Sequence, residues 1–228
     1  MIHNDKPSGK RANNEDSSHD DHPVGNLHQT PLRPDAFALD DDLKKELIAE
    51  HFRSIMLVLG LDLDDDSLKD TPDRVAKMYV EEIFSGLNPQ NKPRVSMFEN
   101  RYHYNQMLVE KDITLHSYCE HHFVPIMGKA HVAYFSSGKV IGLSKLNRIV
   151  QYYSKRPQVQ ERLTVQIADA LKEALQTQDV AVLVDAAHLC VQSRGVQDIQ
   201  SSTVTAEYSG RFLDPTVRAE FLSHIGKK

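Results

Sequence analysis

The sequence predicts an α+β fold in which helices pack on a largely antiparallel sheet. Apolar residues recur at helical spacing in several segments, and apolar and polar residues alternate in others. The order of these segments is also informative, because an N-terminal helical region is followed by β-β-β-α-α-β-β. Strands grouped in runs, with the helices gathered between them, favour antiparallel pairing.

The predicted elements can be placed along the chain. The first helix ends at Gly60, and the second begins at Thr71-Pro72, a cap followed by a proline in the first turn, and closes at Gly86. The remaining elements are strands at 107–117, 128–135, 139–143, 180–191 and 202–210, and helices that start at a Ser144 cap, near Pro157 and near Pro215.

Composition limits the classes of function. The chain has 228 residues, of which 40% are hydrophobic, and a net charge of −5, so it can form a core but does not have the charge of a general nucleic-acid binder. The sequence has no apolar run long enough to cross a membrane, and its start lacks the apolar core of a signal peptide. We expect a cytoplasmic protein without a nucleic-acid or membrane partner.

Three regions are predicted from these patterns. Residues 1–38 are polar and show no apolar repeat, so we expect a disordered extension. Residues 39–92 form an N-terminal helical region, and residues 93–228 hold the α+β domain.

The two cysteines of the chain lie in separate clusters that suggest a metal site. Their number alone favours buried, reduced thiols. However, Cys119 and His122 have the spacing of metal ligands, and alternation along the strand 180–191 places His188 and Cys190 on one face. Two thiolates and one imidazole would hold Zn²⁺ with a fourth position open for catalysis. A fourth ligand from His121 or His188 would instead make a structural site, and spacing leaves both readings open.

Further side chains could serve a reaction near such a metal. His121 and His188 are candidates for acid and base, because imidazole titrates near neutral pH, although both could simply be buried and hydrogen-bonded. Glu161 could accept the two adjacent donors that guanine offers, or it could pair with a nearby arginine.

A basic cluster lies at the start of a predicted helix, where free backbone N–H groups attract anions. Lys145 and Arg148 share a face there, and Arg194 could add a third cation. This arrangement suits a phosphate chain, and a solvated basic turn explains it equally well. Arg74 and Lys77 also share a helix face, which from spacing alone is typical of a solvated pair.

Taken together, these blocks resemble the GTP cyclohydrolase I family, in its bacterial form, from about residue 42 to the C-terminus. The matching blocks occur in order along the chain: Cys119-Glu120-His121-His122, Gly128-Lys129-Ala130, Val140 to Lys145, Arg156 to Leu163, His188-Leu189-Cys190 and Arg194-Gly195. Their number and order make the match specific.

The resemblance implies a role for each candidate residue. It implies that Zn²⁺ is bound by Cys119, His122 and Cys190, that His121 and His188 are the acid/base pair, and that Glu161, with Gln160 beside it, binds guanine. It further implies that the triphosphate and ribose are contacted by Ser144, Lys145, Arg148 and Arg194, and by Arg74 and Lys77 of a neighbouring subunit.

The resemblance also implies a fold, an assembly and a reaction. The fold is the tunnelling fold, an antiparallel sheet with two helices packed on it, in which subunit sheets join into a barrel; the assembly is a homodecamer of two pentamers. The reaction opens the imidazole ring of GTP, with His121 protonating nitrogen 7, and yields 7,8-dihydroneopterin triphosphate and formate, the first step of tetrahydrofolate and pterin biosynthesis. Other enzymes of this fold match less well, because they use three histidines for zinc or a nucleophilic cysteine. A zinc-stabilised binding module without turnover is the alternative from another class.

Overall fold

The computed structural model describes residues 28–226, and the N-terminal part of this range is helical. Helix α1 spans Asp41–Val58, and the Asp40 carboxylate caps it by accepting the Leu43 N–H at 2.8 Å. Helix α2 spans Thr71–Lys77 and continues as a π-helix over Met78–Ile83. Short 3₁₀ turns at Ser85–Leu87 and Pro89–Asn91 then lead into the sheet region.

Seven strands form two sheets among the described residues. The strands are β1 (Met97–Glu99), β2 (Leu108–Cys119), β3 (Pro125–Tyr134), β4 (Lys139–Ile141), β5 (Pro157–Gln158), β6 (Val180–His188) and β7 (Thr203–Tyr208). The main sheet has the order β5-β2-β3-β6-β7, while β1 pairs only with β4. All pairs are antiparallel except β2 with β5. The predicted α+β class and largely antiparallel sheet are confirmed.

The core lies between one face of the sheet and two helices. These are α3 (Leu143–Ser154) and α4 (Gln160–Leu175), and their apolar side chains pack with those of β2, β3 and β6. A smaller cluster on the opposite face joins the sheet to the 3₁₀ turn Gly210–Leu213 and the C-terminal helix α6 (Pro215–Gly226). Among the described residues, no helix is both long and apolar enough to span a membrane.

Several predicted boundaries were wrong for local reasons. Ser144 does not cap α3, because Gly142 is the N-cap and Ser144 lies in the first turn. Pro157 does not begin α4, because Pro157 and Gln158 form β5 beside the end of β2. The strand predicted at 180–191 ends at His188, and Cys190 lies in the single-turn helix α5 (Leu189–Gln192).

The predicted N-terminal extension is described only in part. Residues 1–27 lie outside the described residues, whereas 28–38 form turns and irregular chain that precede α1. The Gln166 side-chain amide donates to His28 O at 2.7 Å, and Arg156 donates to Thr30 Oγ1 at 3.3 Å. Residues 28–30 therefore contact the α+β domain, a contact that their polar composition did not suggest.

Close packing of β3 against β6 depends on Gly128. A Cβ at this position would lie 2.1 Å from Asp185 O and 2.5 Å from the Ala186 Cα, both on β6. Distances this short leave no room for a side chain, so the two strands could accept one only by moving apart.

We therefore expect Gly128→Ala to lower the free energy of unfolding by about 2 kcal/mol or more. Thermal unfolding would show this as a fall in Tm of at least about 4 °C. Gly226→Ala is the control, because a Cβ there meets no atom within 4 Å and should leave Tm unchanged. Equal Tm values for Gly128→Ala and wild type would contradict the packing argument.

Candidate metal centre and active site

The loop after β2 brings two histidines back towards Cys119, the last residue of that strand. The Cys119 N–H donates to Val124 O at 2.9 Å, and the Phe123 N–H donates to Cys119 O at 2.8 Å. Phe123 takes the left-handed conformation, with φ of 53°, which lets the chain reverse within these few residues. As a result, the Nδ1 atoms of His121 and His122 lie 3.7 and 3.8 Å from Cys119 Sγ.

Aromatic packing anchors this loop on the N-terminal helical region. The Phe123 ring lies 5.1 Å from that of Phe84 and 6.5 Å from that of Tyr79. Edge and tilted contacts at these distances are favourable for aromatic rings. The π-helix that carries Tyr79 therefore supports the residue that directly follows His122.

Three potential ligand atoms meet at this end of the sheet. One ligand atom each from Cys119, His122 and Cys190 lies within 4.8 Å of the others. Tetrahedral zinc with ordinary bond lengths requires sulfur–nitrogen and sulfur–sulfur separations of about 3.6 and 3.8 Å. The Cys119–His122 distance of 3.8 Å fits this geometry. Within residues 28–226 this is the one group of its kind, and neither His121 nor His188 belongs to it.

The prediction placed Cys190 beside His188 by strand alternation, and that reasoning was wrong. The backbone leaves the extended conformation after His188, and the Ser193 N–H donates to Leu189 O at 2.9 Å. This single helical turn directs the Cys190 thiol towards Cys119. Burial raises the pKa of the Cys190 thiol, and the neighbouring Cys119 raises it further. The Cys190 thiol therefore favours its protonated form unless a cation compensates its negative charge.

His121 and His188 have contrasting environments. The His121 side chain is exposed, and its Nε2 lies 4.0 Å from a Glu120 carboxylate oxygen. His188 is partly buried, and its Nε2 lies 2.7 Å from Gln160 Oε1. Burial lowers the pKa of His188, while the negative charge of Glu161 acts in the opposite direction.

Arg194 brings a positive charge to the candidate metal ligands. Its Nη1 lies 3.1 Å from His122 Nε2, on the side of the ring away from the Cys119 contact. Of the predicted anion-binding residues, Arg194 is the one with a contact to this cluster in the described part of the chain.

The other predicted anion-binding residues lie elsewhere in the subunit. The start of α3 adjoins the far end of β3, where the Ile141 N–H approaches the Tyr134 hydroxyl at 3.4 Å. Residues 126 and 134 of β3 mark the two ends of its pairing with β6, about 26 Å apart in an extended strand. Ser144 and Lys145, in the first turn of α3, thus lie towards the end of the sheet opposite the candidate metal ligands of their own chain. Among the described residues, Arg148 makes no hydrogen bond to those ligands.

Arg74 and Lys77 are both exposed on α2. Arg74 pairs with Asp70 at 3.3 Å, a contact open to solvent. Among the described residues, neither cation contacts the candidate metal ligands of the same chain.

An ion pair that the sequence analysis did not predict supports the histidine loop. Arg162 of α4 is 11% exposed and donates to the Glu120 carboxylate, to Gln158 Oε1 at 3.0 Å and to Pro157 O at 3.0 Å. From the sequence, an arginine near Glu161 was expected only as a possible partner for Glu161 itself. The carboxylate of Glu120, inside the Cys-x-x-His block, could have indicated that a cationic side chain lies nearby.

These features define a candidate metal-dependent enzyme: two thiols and an imidazole meet beside a partly buried histidine, at the edge of an α+β domain. Comparison with known proteins gives the particular family. The family described as GTP cyclohydrolase I matches residues 48–226.

Named relatives agree with this match. "GTP cyclohydrolase 1" of Flavobacterium johnsoniae is 58% identical over 89% of this chain and 93% of its own length. The proteins of the same name from Enterobacter sp. (strain 638) and Vibrio parahaemolyticus are each 54% identical, over 86% and 85% of this chain and 89% of their own lengths. The crystal structure of the archaeosine synthase QueF-Like in the apo form aligns with a TM-score of 0.39 at 20% identity, covering 46% of this chain and 93% of that one, too low to support a conclusion.

The chain belongs to the GTP cyclohydrolase I family. It is an enzyme of this class, which opens the imidazole ring of GTP by hydrolysis and yields 7,8-dihydroneopterin triphosphate and formate.

The Arg162–Glu120 pair gives a direct prediction about stability. Arg162→Met should lower the free energy of unfolding by about 1–3 kcal/mol, because it leaves a partly buried carboxylate without its cation. Thermal unfolding measures the change. Lys69→Met is the matched control, since it removes the exposed pair with Asp66 and should cost less than about 1 kcal/mol. Equal effects of the two substitutions would mean that the Arg162 pair is not structurally important.

Proposed function

We propose that this chain opens the imidazole ring of GTP at a zinc centre held by Cys119, His122 and Cys190. The observation that carries the proposal is the meeting of these three ligand atoms within 4.8 Å of one another. Two thiolates and one imidazole suit zinc and leave a fourth position open, as in catalytic sites. Bound zinc would supply Lewis acidity for the hydrolysis.

Two histidines are proposed to move protons at this centre. His121 is exposed, and its Nδ1 lies 3.7 Å from Cys119 Sγ, so it can reach a substrate at the ligands and protonate nitrogen 7 of the purine. His188 is partly buried and contacts Gln160 in the first turn of α4. Their different environments suit a proton donor and a proton acceptor.

Glu161 is proposed to bind guanine, with Gln160 beside it in the first turn of α4. A carboxylate has two acceptor oxygens, which match the adjacent ring N–H and amino group of guanine. The position of Glu161 supports this role, because it directly follows Gln160, whose amide oxygen lies 2.7 Å from His188 Nε2.

The triphosphate and ribose are proposed to be bound by residues of more than one subunit. Arg194 lies at the metal ligands, 3.1 Å from His122. Ser144 and Lys145 lie towards the opposite end of their own sheet, with Arg148 one turn further along α3, and we propose that a neighbouring subunit supplies all three. Arg74 and Lys77 are exposed on α2 and would come from a neighbour as well.

We further propose the tunnelling fold, with subunit sheets joined into a barrel, and a decamer of two pentamers. The main sheet ends on β7, whose Val204 is 57% exposed, and on the two-residue strand β5. An open edge of this kind can pair with the sheet of another subunit. We also propose three regions, an extension at 1–38, a helical region at 39–92 and the catalytic domain at 93–228. The start of β1 at Met97 supports the second boundary.

The direct test of the activity is incubation of the purified protein with GTP, followed by oxidation and analysis of the products. We expect fluorescent neopterin phosphate and formate in equal amounts. If zinc-loaded protein releases neither product, the result would contradict the proposal and favour a binding module without turnover.

Cys190→Ala tests the metal ligands. Removing one thiolate of a three-ligand site should lower zinc content and turnover together, because the remaining two ligands bind zinc weakly. Elemental analysis and the GTP assay on the same sample measure both quantities. Full turnover by this variant after exhaustive chelation would show that the metal is not needed.

Mixed oligomers test whether sites are shared. Arg74→Ala and His121→Ala should each be nearly inactive alone. After the two are unfolded and refolded together in equal amounts, about a quarter of the sites should combine intact Arg74 from one chain with intact His121 from another. Activity no higher than that of the separate variants, in verified mixed oligomers, would mean that both residues act within one chain.

A further inference from the structure

All the hydrogen-bonding groups of the Gln160 side chain have partners within the protein. The residue is 1% exposed. Its amide nitrogen lies 2.8 Å from Thr203 O, 3.1 Å from Val184 O and 3.2 Å from Thr205 Oγ1. Its amide oxygen lies 2.7 Å from His188 Nε2. Both amide hydrogens therefore have acceptors within the fold, and neither is left for guanine.

These contacts determine which way the amide faces. The carbonyl oxygens of Thr203 and Val184 can only accept hydrogen bonds, so the end of the amide that faces them must be the nitrogen. If the amide were reversed, its oxygen would face the carbonyl oxygens of Thr203 and Val184, and no hydrogen would lie between them. The oxygen of Gln160 therefore faces His188, and the hydrogen between them must be on His188 Nε2.

Two hydroxyls hold the amide in this orientation. Thr164 Oγ1 donates to the Gln160 backbone oxygen at 2.8 Å. Thr205 Oγ1 lies 2.6 Å from Thr164 Oγ1 and must donate to it, because the Thr164 hydrogen is already used. Thr205 Oγ1 can then accept from the Gln160 amide nitrogen. The hydrogen bonds therefore run in one direction, from the Gln160 amide to Thr205, then to Thr164, and back to the Gln160 backbone oxygen.

We propose that Gln160 is a positioning residue that holds the His188 ring with a hydrogen on Nε2, so that Nδ1 is the nitrogen left to exchange a proton with the substrate. Within residues 28–226 no protein atom hydrogen-bonds to this Nδ1. A proton that leaves the substrate breaks its bond there and forms one at Nδ1, and the resulting imidazolium keeps its hydrogen bond to Gln160 Oε1. The inference rests on the proposed role of His188, and it removes the Gln160 side chain from guanine binding.

A double-mutant cycle tests whether Gln160 acts through His188. Gln160→Met keeps the length of the side chain and removes both hydrogen-bonding groups. In the wild-type background we expect kcat to fall by roughly 10- to 100-fold, with KM for GTP changed by less than about threefold. In a His188→Ala background the same substitution should change the rate of formate release, measured in a single turnover, by less than about threefold.

Gln158→Met is the matched control. Gln158 is also a buried amide, and it bonds to Tyr153 O and Gln166 Oε1 without contacting His188. Any effect of this control on the rate should persist in the His188→Ala background. An unchanged kcat with a raised KM in Gln160→Met would contradict the proposal and indicate that the Gln160 side chain binds guanine. Equal loss in both backgrounds would make Gln160 a structural residue only.

Neutron diffraction of deuterium-exchanged wild-type crystals reads the tautomer directly and does not depend on how the variants fold. At about pH 8, where histidine is neutral, we expect deuterium on Nε2 of His188 and none on Nδ1. Deuterium on Nδ1 would overturn the proposal. This result is independent of turnover, so inactive wild-type protein would contradict the proposed function without touching the assignment of the tautomer.

Discussion

The pairing of β3 with β2 on one side and with β6 on the other is the constraint on which the rest of the structure depends. In this register the end of β2, the start of β3 and the end of β6 meet at one end of the sheet. Two cysteines far apart in sequence are thereby brought within ligand distance of each other. Gly128 permits the close approach of β3 to β6, since any side chain there would overlap the backbone of β6.

The segment from Gln158 to Arg162 is the second organising feature, because it contacts both histidine-bearing elements. Arg162 pairs with Glu120, next to His121, and Gln160 bonds to His188. An arginine fork and a buried amide are rigid partners, since each makes several hydrogen bonds at once. One short stretch of chain therefore sets the positions of the proposed proton donor and the proposed proton acceptor.

The sequence predicted the main elements, and which residues form the candidate metal site, better than their geometry. Helical and strand periodicities report local burial, so the α+β class and the longer elements could be read directly, whereas the short strands β1 and β5 and the helix α5 were missed. Alternation assumes extended backbone, and it misplaced Cys190 because the chain turns helical after His188. The ion pair of Glu120 with Arg162 and the bonds of Gln160 connect elements distant in sequence, and no local pattern records such contacts. The position of Ser144 at the far end of the sheet likewise follows from topology alone.

The proposed metal site has three protein ligands and one open position. X-ray absorption at the zinc edge of the zinc-loaded protein tests it most directly, because it reports the number and type of ligand atoms. We expect two sulfur atoms at about 2.3 Å, one imidazole nitrogen at about 2.0 Å, and one exchangeable oxygen in the fourth place. A closed shell of four protein ligands, or fewer than two sulfur atoms, would contradict the account.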